Sequence, residues 1–150
     1  MGKALFYHLT RSDARGLLPS LLGKALAAGW RVELRAPDPA RLQALDEELW
    51  LLDGFLPHGM AGGAHDARQP VLLRPADAPP AGNAPDCLMT LDGAAVDPAE
   101  AAALSRLCII FDGNDAAAVE TARAQWRLLT KSGVEAEYWS EADGRWQKKA

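Results

Sequence analysis

Between residues 122 and 131 the chain reads Ala-Arg-Ala-Gln-Trp-Arg-Leu-Leu-Thr-Lys, and the cations Arg123, Arg127 and Lys131 recur at i, i+4 and i+8. On a helix that spacing lines them along one face, and Trp126, three residues after Arg123, shares or borders it. Guanidinium groups hold carboxylates through charge-assisted, often bidentate hydrogen bonds, and an indole offers an apolar wall beside them. The formal net charge is −4, so solubility does not require the stripe. Taken alone, the segment fits an ordinary amphipathic helix, with Trp126 in the core and a solvated cationic face. Its alternative is a dock for a ligand that carries both negative charge and an apolar group.

Other reactive residue types form no convincing constellation. His58 and His65 share a loop-like stretch with Asp66. No helical i, i+4 pair or thiolate accompanies them, so the stretch reads as a solvated loop, not a metal cage. Cys87 and Cys108 sit in apolar runs (Cys87-Leu88-Met89 and Leu107-Cys108-Ile109-Ile110) and read as buried, reduced strand residues. No serine stands in a nucleophile elbow, and Asp46, Glu47 and Glu48 form the polar side of a helix. The segment Thr10-Arg-Ser-Asp-Ala-Arg-Gly16 holds neither G-x-G-x-x-G nor a Walker lysine loop, so the backbone cradle for phosphate is missing. Gly59-Met-Ala-Gly-Gly63 follows a helix and reads as a flexible loop. No catalytic residue, metal or cofactor is therefore expected. A second recognition candidate is Trp50 with Phe55, in Leu45-Asp-Glu-Glu-Leu-Trp50 and Phe55-Leu-Pro-His58. Large apolar groups at a helix end and its exit loop form either a satellite of the core or an interface anchor.

The elements that must position these residues follow from periodicity and turn signals. Ala4 to Leu9 suits a buried strand, and a helix is expected from about Gly16 to Ala28, with Pro19 tolerable only in its first turn and Gly29 ending it. Trp30 to Ala36 alternates as a second strand. Asp38-Pro39 then supplies an N-cap and N1 proline for a helix to about Leu51. Val71 to Arg74 and Cys87 to Leu91 read as strands without a full helix between them, which predicts that one of the two is an antiparallel edge. Asp97-Pro98 caps a short helix, Leu107 to Phe111 is a central strand apolar on both faces, and Asp115 opens the basic helix that Gly133 ends. A last strand covers about Glu135 to Ser140, with a turn at Asp143-Gly144. This β-α-β-α rhythm implies a Rossmann-like three-layer α/β/α fold, mainly parallel, with an antiparallel edge strand and no phosphate-binding loop.

At 150 residues the chain fits a single α/β domain over 1–150. The sequence pI near 5.3 argues against wholesale wrapping of nucleic acid. The N-terminal run lacks the long apolar stretch of a signal peptide, and no segment is long enough to span a bilayer, so a cytoplasmic protein without membrane contact is expected.

Together these segments resemble the chi subunit of the bacterial DNA polymerase III holoenzyme. The features that carry it are Ala4-Leu-Phe-Tyr, Gly29-Trp-Arg-Val, the L-D-x-x-L-W…F-x-P-H block ending at His58, Gly62, Ala122-Arg-x-x-Trp126-Arg127, Gly133 and Trp146. The resemblance implies a non-catalytic accessory subunit of the clamp-loader complex, with DNA as an indirect partner. One surface would grip the acidic, phenylalanine-ended C-terminal tail of single-stranded-DNA-binding protein, at positions matched by Arg123, Trp126 and Arg127, with Trp146 a nearby aromatic. A second, matched by Trp50 and Phe55, would hold the psi subunit, another clamp-loader subunit or a helicase. Two rivals stay open on the residues alone: a nucleotide-binding enzyme on a Rossmann-like scaffold using His58 and the Gly59–Gly63 loop, and direct single-strand binding with Trp126 stacked on a base.

Overall fold

Among the described residues, eight strands form one sheet in the order β3-β4-β2-β5-β6-β1-β7-β8. The structure is a computed structural model that describes residues 2–51, 57–141 and 144–150, Arg15 by its backbone alone. The strands are β1 (Lys3–Leu9), β2 (Val32–Ala36), β3 (Gly59–Met60), β4 (Val71–Pro75), β5 (Cys87–Thr90), β6 (Arg106–Asp112), β7 (Glu135–Ser140) and β8 (Gln147–Lys148). The helices are α1 (Ala14–Ala27), α2 (Pro39–Trp50), α3 (Pro98–Ala103) and α4 (Ala116–Lys131). Every pairing is parallel except β7 with β8, which closes one edge as an antiparallel ribbon. The expected α/β layering with an antiparallel edge is thus present.

The antiparallel edge lies elsewhere than expected. β4 and β5 flank β2 on opposite sides, and both run parallel to it. A parallel return needs chain length, not a helix. The proline-rich segment 76–86 supplies it, fastened by Arg74 Nε donating to the Pro79 carbonyl (2.6 Å) and Asn83 Nδ2 donating to the carbonyls of Val32 (3.0 Å) and Gln69 (3.1 Å). The stretch after α2 also contributes strand β3, which pairs with β4.

Strand alternation divides the core in two. Leu9, Val32, Leu34, Cys87, Met89, Cys108 and Ile110 meet the leucines of α1 and α2 on one face. Ala4, Phe6, Leu88, Leu107, Ile109 and Phe111 meet Ala101 of α3 and Ala122 and Leu129 of α4 on the other. β6 lies between β5 and β1 with residues 107–111 buried, as its double-sided apolarity predicts.

Two local readings shift. Asp13 caps α1, accepting from the Gly16 N–H (2.9 Å), so the helix starts earlier than expected and Pro19 falls inside it, where its missing N–H leaves one helical bond unmade. β2 is buried at all five positions, including Glu33 and Arg35. Its polar side packs into a charge network: Arg35 Nε donates to Glu33 (2.6 Å), Arg35 Nη2 to Glu100, and Arg74 Nη1 to Glu33 (3.1 Å). Pairing removes the penalty that would keep such charges at the surface.

Candidate functional site

The sequence builds α4 as an amphipathic helix that packs on the sheet. The Asp115 carboxylate accepts from the Ala117 N–H (3.0 Å) at its start, and Gly133 takes the left-handed conformation (φ +89°) that ends it. Ala122 and Leu129 bury its inner face, and Arg123, Arg127 and Lys131 stay exposed on its outer face. Trp126 lies on the flank between them, half-buried.

What holds Trp126 is a set of rings from the sheet. Its indole packs edge-on against Phe6 (centroids 5.2 Å, 62°) and Tyr138 (6.1 Å, 73°). Phe6 and His8 point to this face of β1, and Tyr138 to the same face of β7, as alternation requires. The Tyr138 hydroxyl and His8 Nδ1 share a short hydrogen bond. Burial raises the Tyr138 pKa, and the positive charge of Arg123 works against that rise, which places the guanidinium within electrostatic reach of the phenol. His8 needs room on its other side, and Gly113 gives it: a Cβ there would stand 1.9 Å from the imidazole. Tyr138, His8 and Gly113 escape a motif search because their neighbourhood to Trp126 exists only through sheet pairing. The shared parity of Phe6 and His8 in β1 is the one local signal for them.

The cations differ in their ties. Arg123 Nη1 meets Glu120 Oε1 at 3.2 Å, an exposed i, i+3 pair of small energetic weight. Among the described residues Arg127 and Lys131 have no ion-pair partner. The face therefore offers a row of available donors beside an aromatic flank.

Trp146 does not join this group. Its ring meets Tyr7 edge-on (5.5 Å, 83°) and packs against the α1–α2 side of the core. Tyr7 and His8 are neighbours in β1, so their side chains leave opposite faces, and the sheet separates Trp146 from Trp126. The adjacency expected for Trp146 is corrected by this one-residue parity.

The other candidate patch starts at the end of α2. Trp50 is 53 % exposed and Leu51 84 % exposed, which leaves two large apolar groups at the helix terminus. The Trp50 ring lies over His58 (centroids 4.2 Å). His58 is buried, with Nε2 3.1 Å from both the Asp46 carbonyl and Asp46 Oδ1, and is no part of a solvated loop. Phe55 lies outside the described residues. At the C-terminal ends of β1, β5 and β6, where Rossmann-like sheets hold nucleotides, the crevice is lined by Asp13, Asp92 and Asp112, with Arg41 bound to Asp92 (3.2 Å). Carboxylates there repel a phosphate. No group of histidines, cysteines and carboxylates among the described residues has metal-site geometry.

Residues 1–137 match the family model of the DNA polymerase III chi subunit, HolC. The chain belongs to the chi-subunit family. Among curated proteins no sequence matches it. In this chi-family chain the match spans α4, the α2 terminus and strands β1 to β6, and it stops short of Tyr138, Trp139 and Trp146. Among the described residues no helix is long and apolar enough to cross a membrane.

Proposed function

We propose that this chi-family protein is a non-catalytic adaptor that binds the acidic C-terminal tail of single-stranded-DNA-binding protein through Arg123, Trp126 and Arg127, and ties it to the polymerase III holoenzyme. The observation that carries the reading is the row of exposed cations along α4 beside the Trp126–Tyr138 flank, in a chain of net charge −4. Tail carboxylates pair with Arg127 and Arg123, and Lys131 extends the positive field. The terminal ring lies against Trp126 and Tyr138, where burial of an aromatic contributes about 1.5–3 kcal/mol. A short peptide held this way binds at roughly micromolar affinity, near −8 kcal/mol, and more weakly as salt rises. Trp50 and Leu51, with Phe55 after them, supply the apolar anchor for the psi subunit or another clamp-loader or helicase partner, and DNA is reached indirectly.

Calorimetry with an acidic peptide ending in phenylalanine, the same peptide without its last residue, and an oligonucleotide of equal charge tests the tail reading. Binding of the full peptide, with a loss of tenfold or more on truncation and weaker binding of the oligonucleotide, is expected. Equal binding of both peptides would refute the tail dock, and tighter binding of the oligonucleotide would favour direct single-strand recognition.

A further inference from the structure

A cavity of about 630 Å³ opens on the α1 side of the sheet, opposite α4. Its floor is Leu5, Cys87, Met89 and Cys108, buried strand residues on the face that α1 covers. One wall is aromatic: Tyr7, Trp139 and Trp146, with Tyr7 and Trp146 edge-on at 5.5 Å. The volume falls within the range of small-molecule sites, and the lining has their usual character, apolar with few polar groups.

Among the described residues that line it the charges are of one sign: Lys24 and Arg106 line the cavity, and no carboxylate does. Both lie toward the edge where the parallel strands begin, Arg106 as the first residue of β6 and Lys24 in the last turn of α1, which runs back across the sheet. Arg106 is poised but unspent. Its guanidinium rests on the Trp30 ring (5.2 Å to the centroid), its buried Nε has no hydrogen-bond partner, and it forms no ion pair among the described residues. Glu137, which accepts from the Trp139 indole, is already paired with Lys3 (2.7 Å) and Lys148 (3.6 Å). A buried, unpaired donor costs free energy that an incoming acceptor recovers.

We propose that this cavity is a second binding site, for a small aromatic carboxylate whose ring packs between Tyr7, Trp139 and Trp146 and whose anion meets Arg106 and Lys24. A many-carboxylate tail fits it poorly, since the cations gather at one end and leave the rest of the cavity apolar. The site is separate from the α4 face, and its test is independent of the tail reading.

The probes are 1-naphthylacetate and its neutral counterpart 2-(1-naphthyl)ethanol, titrated calorimetrically into the full chain and into Arg106→Met, Lys24→Met, Trp146→Ala and Arg127→Glu. Saturable binding of the carboxylate is expected, at least tenfold tighter than the alcohol. It should fall roughly tenfold in Arg106→Met and fall in Trp146→Ala, while Arg127→Glu leaves it unchanged. Lys24 is exposed on α1, so Lys24→Met keeps the test decisive if Arg106→Met does not fold. Failure of the carboxylate to saturate, equal affinity for the alcohol, or unchanged affinity in every foldable cation and Trp146 variant overturns the proposal. Loss of binding in Arg127→Glu alone would also overturn it, by moving the anion to the other face.

Discussion

Arg127 and Arg123 differ in what surrounds them, and the difference sets the expected effects of mutation. Arg127 is exposed and unpaired among the described residues. Reversing its charge in Arg127→Glu should therefore leave the fold intact and weaken an acidic peptide by tenfold or more, read by calorimetry against an unchanged melting curve. Arg123 is shared with Glu120. Removing that competitor in Glu120→Ala should strengthen peptide binding several-fold at low salt, and a weaker complex would mean Arg123 takes no part. Trp126 is harder to isolate, because its ring also fills space over Phe6. Trp126→Ala should cost stability, about 2–4 kcal/mol for a half-buried indole in urea unfolding, as well as affinity. Glu141 gives a pH signature of its own. Burial opposes its ionisation, but the Ser12 N–H (2.9 Å), Ser12 hydroxyl (2.8 Å) and Thr10 N–H (3.1 Å) donate to it and hold its pKa below the ordinary value. A depressed carboxylate adds stability that is complete above its unfolded pKa of about 4.3 and is lost as pH falls through the lower folded value. Glu137 beside Lys3 and Glu100 beside Arg35 are shifted the same way. Unfolding midpoints should fall between pH 5 and about pH 3, and Glu141→Gln should flatten part of that fall. A midpoint that rises on acidification would contradict the assignment.

Elements whose limits are marked by local chemistry are legible in the sequence itself. Asp38-Pro39, Asp97-Pro98 and Asp115 each stand at the helix start they announce, because a short acidic side chain at the N-cap satisfies free N–H groups whatever the tertiary context. Asp115→Ala should accordingly cost about 1 kcal/mol in urea unfolding and weaken tail binding only modestly. Where the decision lay in long-range pairing, local pattern failed. The alternation of Trp30 to Ala36 marked a strand but not the burial of its polar residues: Glu33 and Arg35 are buried because Arg74 and Glu100, distant in sequence, complete their charges. Arg35→Ala would leave Glu33 and Glu100 short of a partner inside the protein and should cost about 3–5 kcal/mol, far more than Asp115→Ala. The orientation of β4 and β5 was likewise hidden, since a loop of prolines carries no sign of which side of β2 it will return on. His58 looked like a loop residue and is a buried support for Trp50, fixed by Asp46 one element away.

At the scale of the whole molecule the sheet is a partition, with the cationic face of α4 on one side and the aromatic cavity around Trp146 on the other. The stripe of Arg123, Arg127 and Lys131 was legible because helical spacing alone assembles it. The Phe6–His8–Tyr138 bed beneath it, the separation of Trp146 and the cavity itself depend on strand parity and on how far α1 reaches, which no short window of sequence contains. That partition gives the central claim its most direct test. The indole N–H signals of an ¹⁵N-labelled chain, each assigned by a Trp→Phe variant, are to be followed as the phenylalanine-ended acidic peptide is added. Binding at α4 predicts that Trp126 shifts in a saturable manner while Trp139 and Trp146 stay in place. Movement of Trp139 and Trp146 with Trp126 unchanged would contradict it and put the tail on the opposite face.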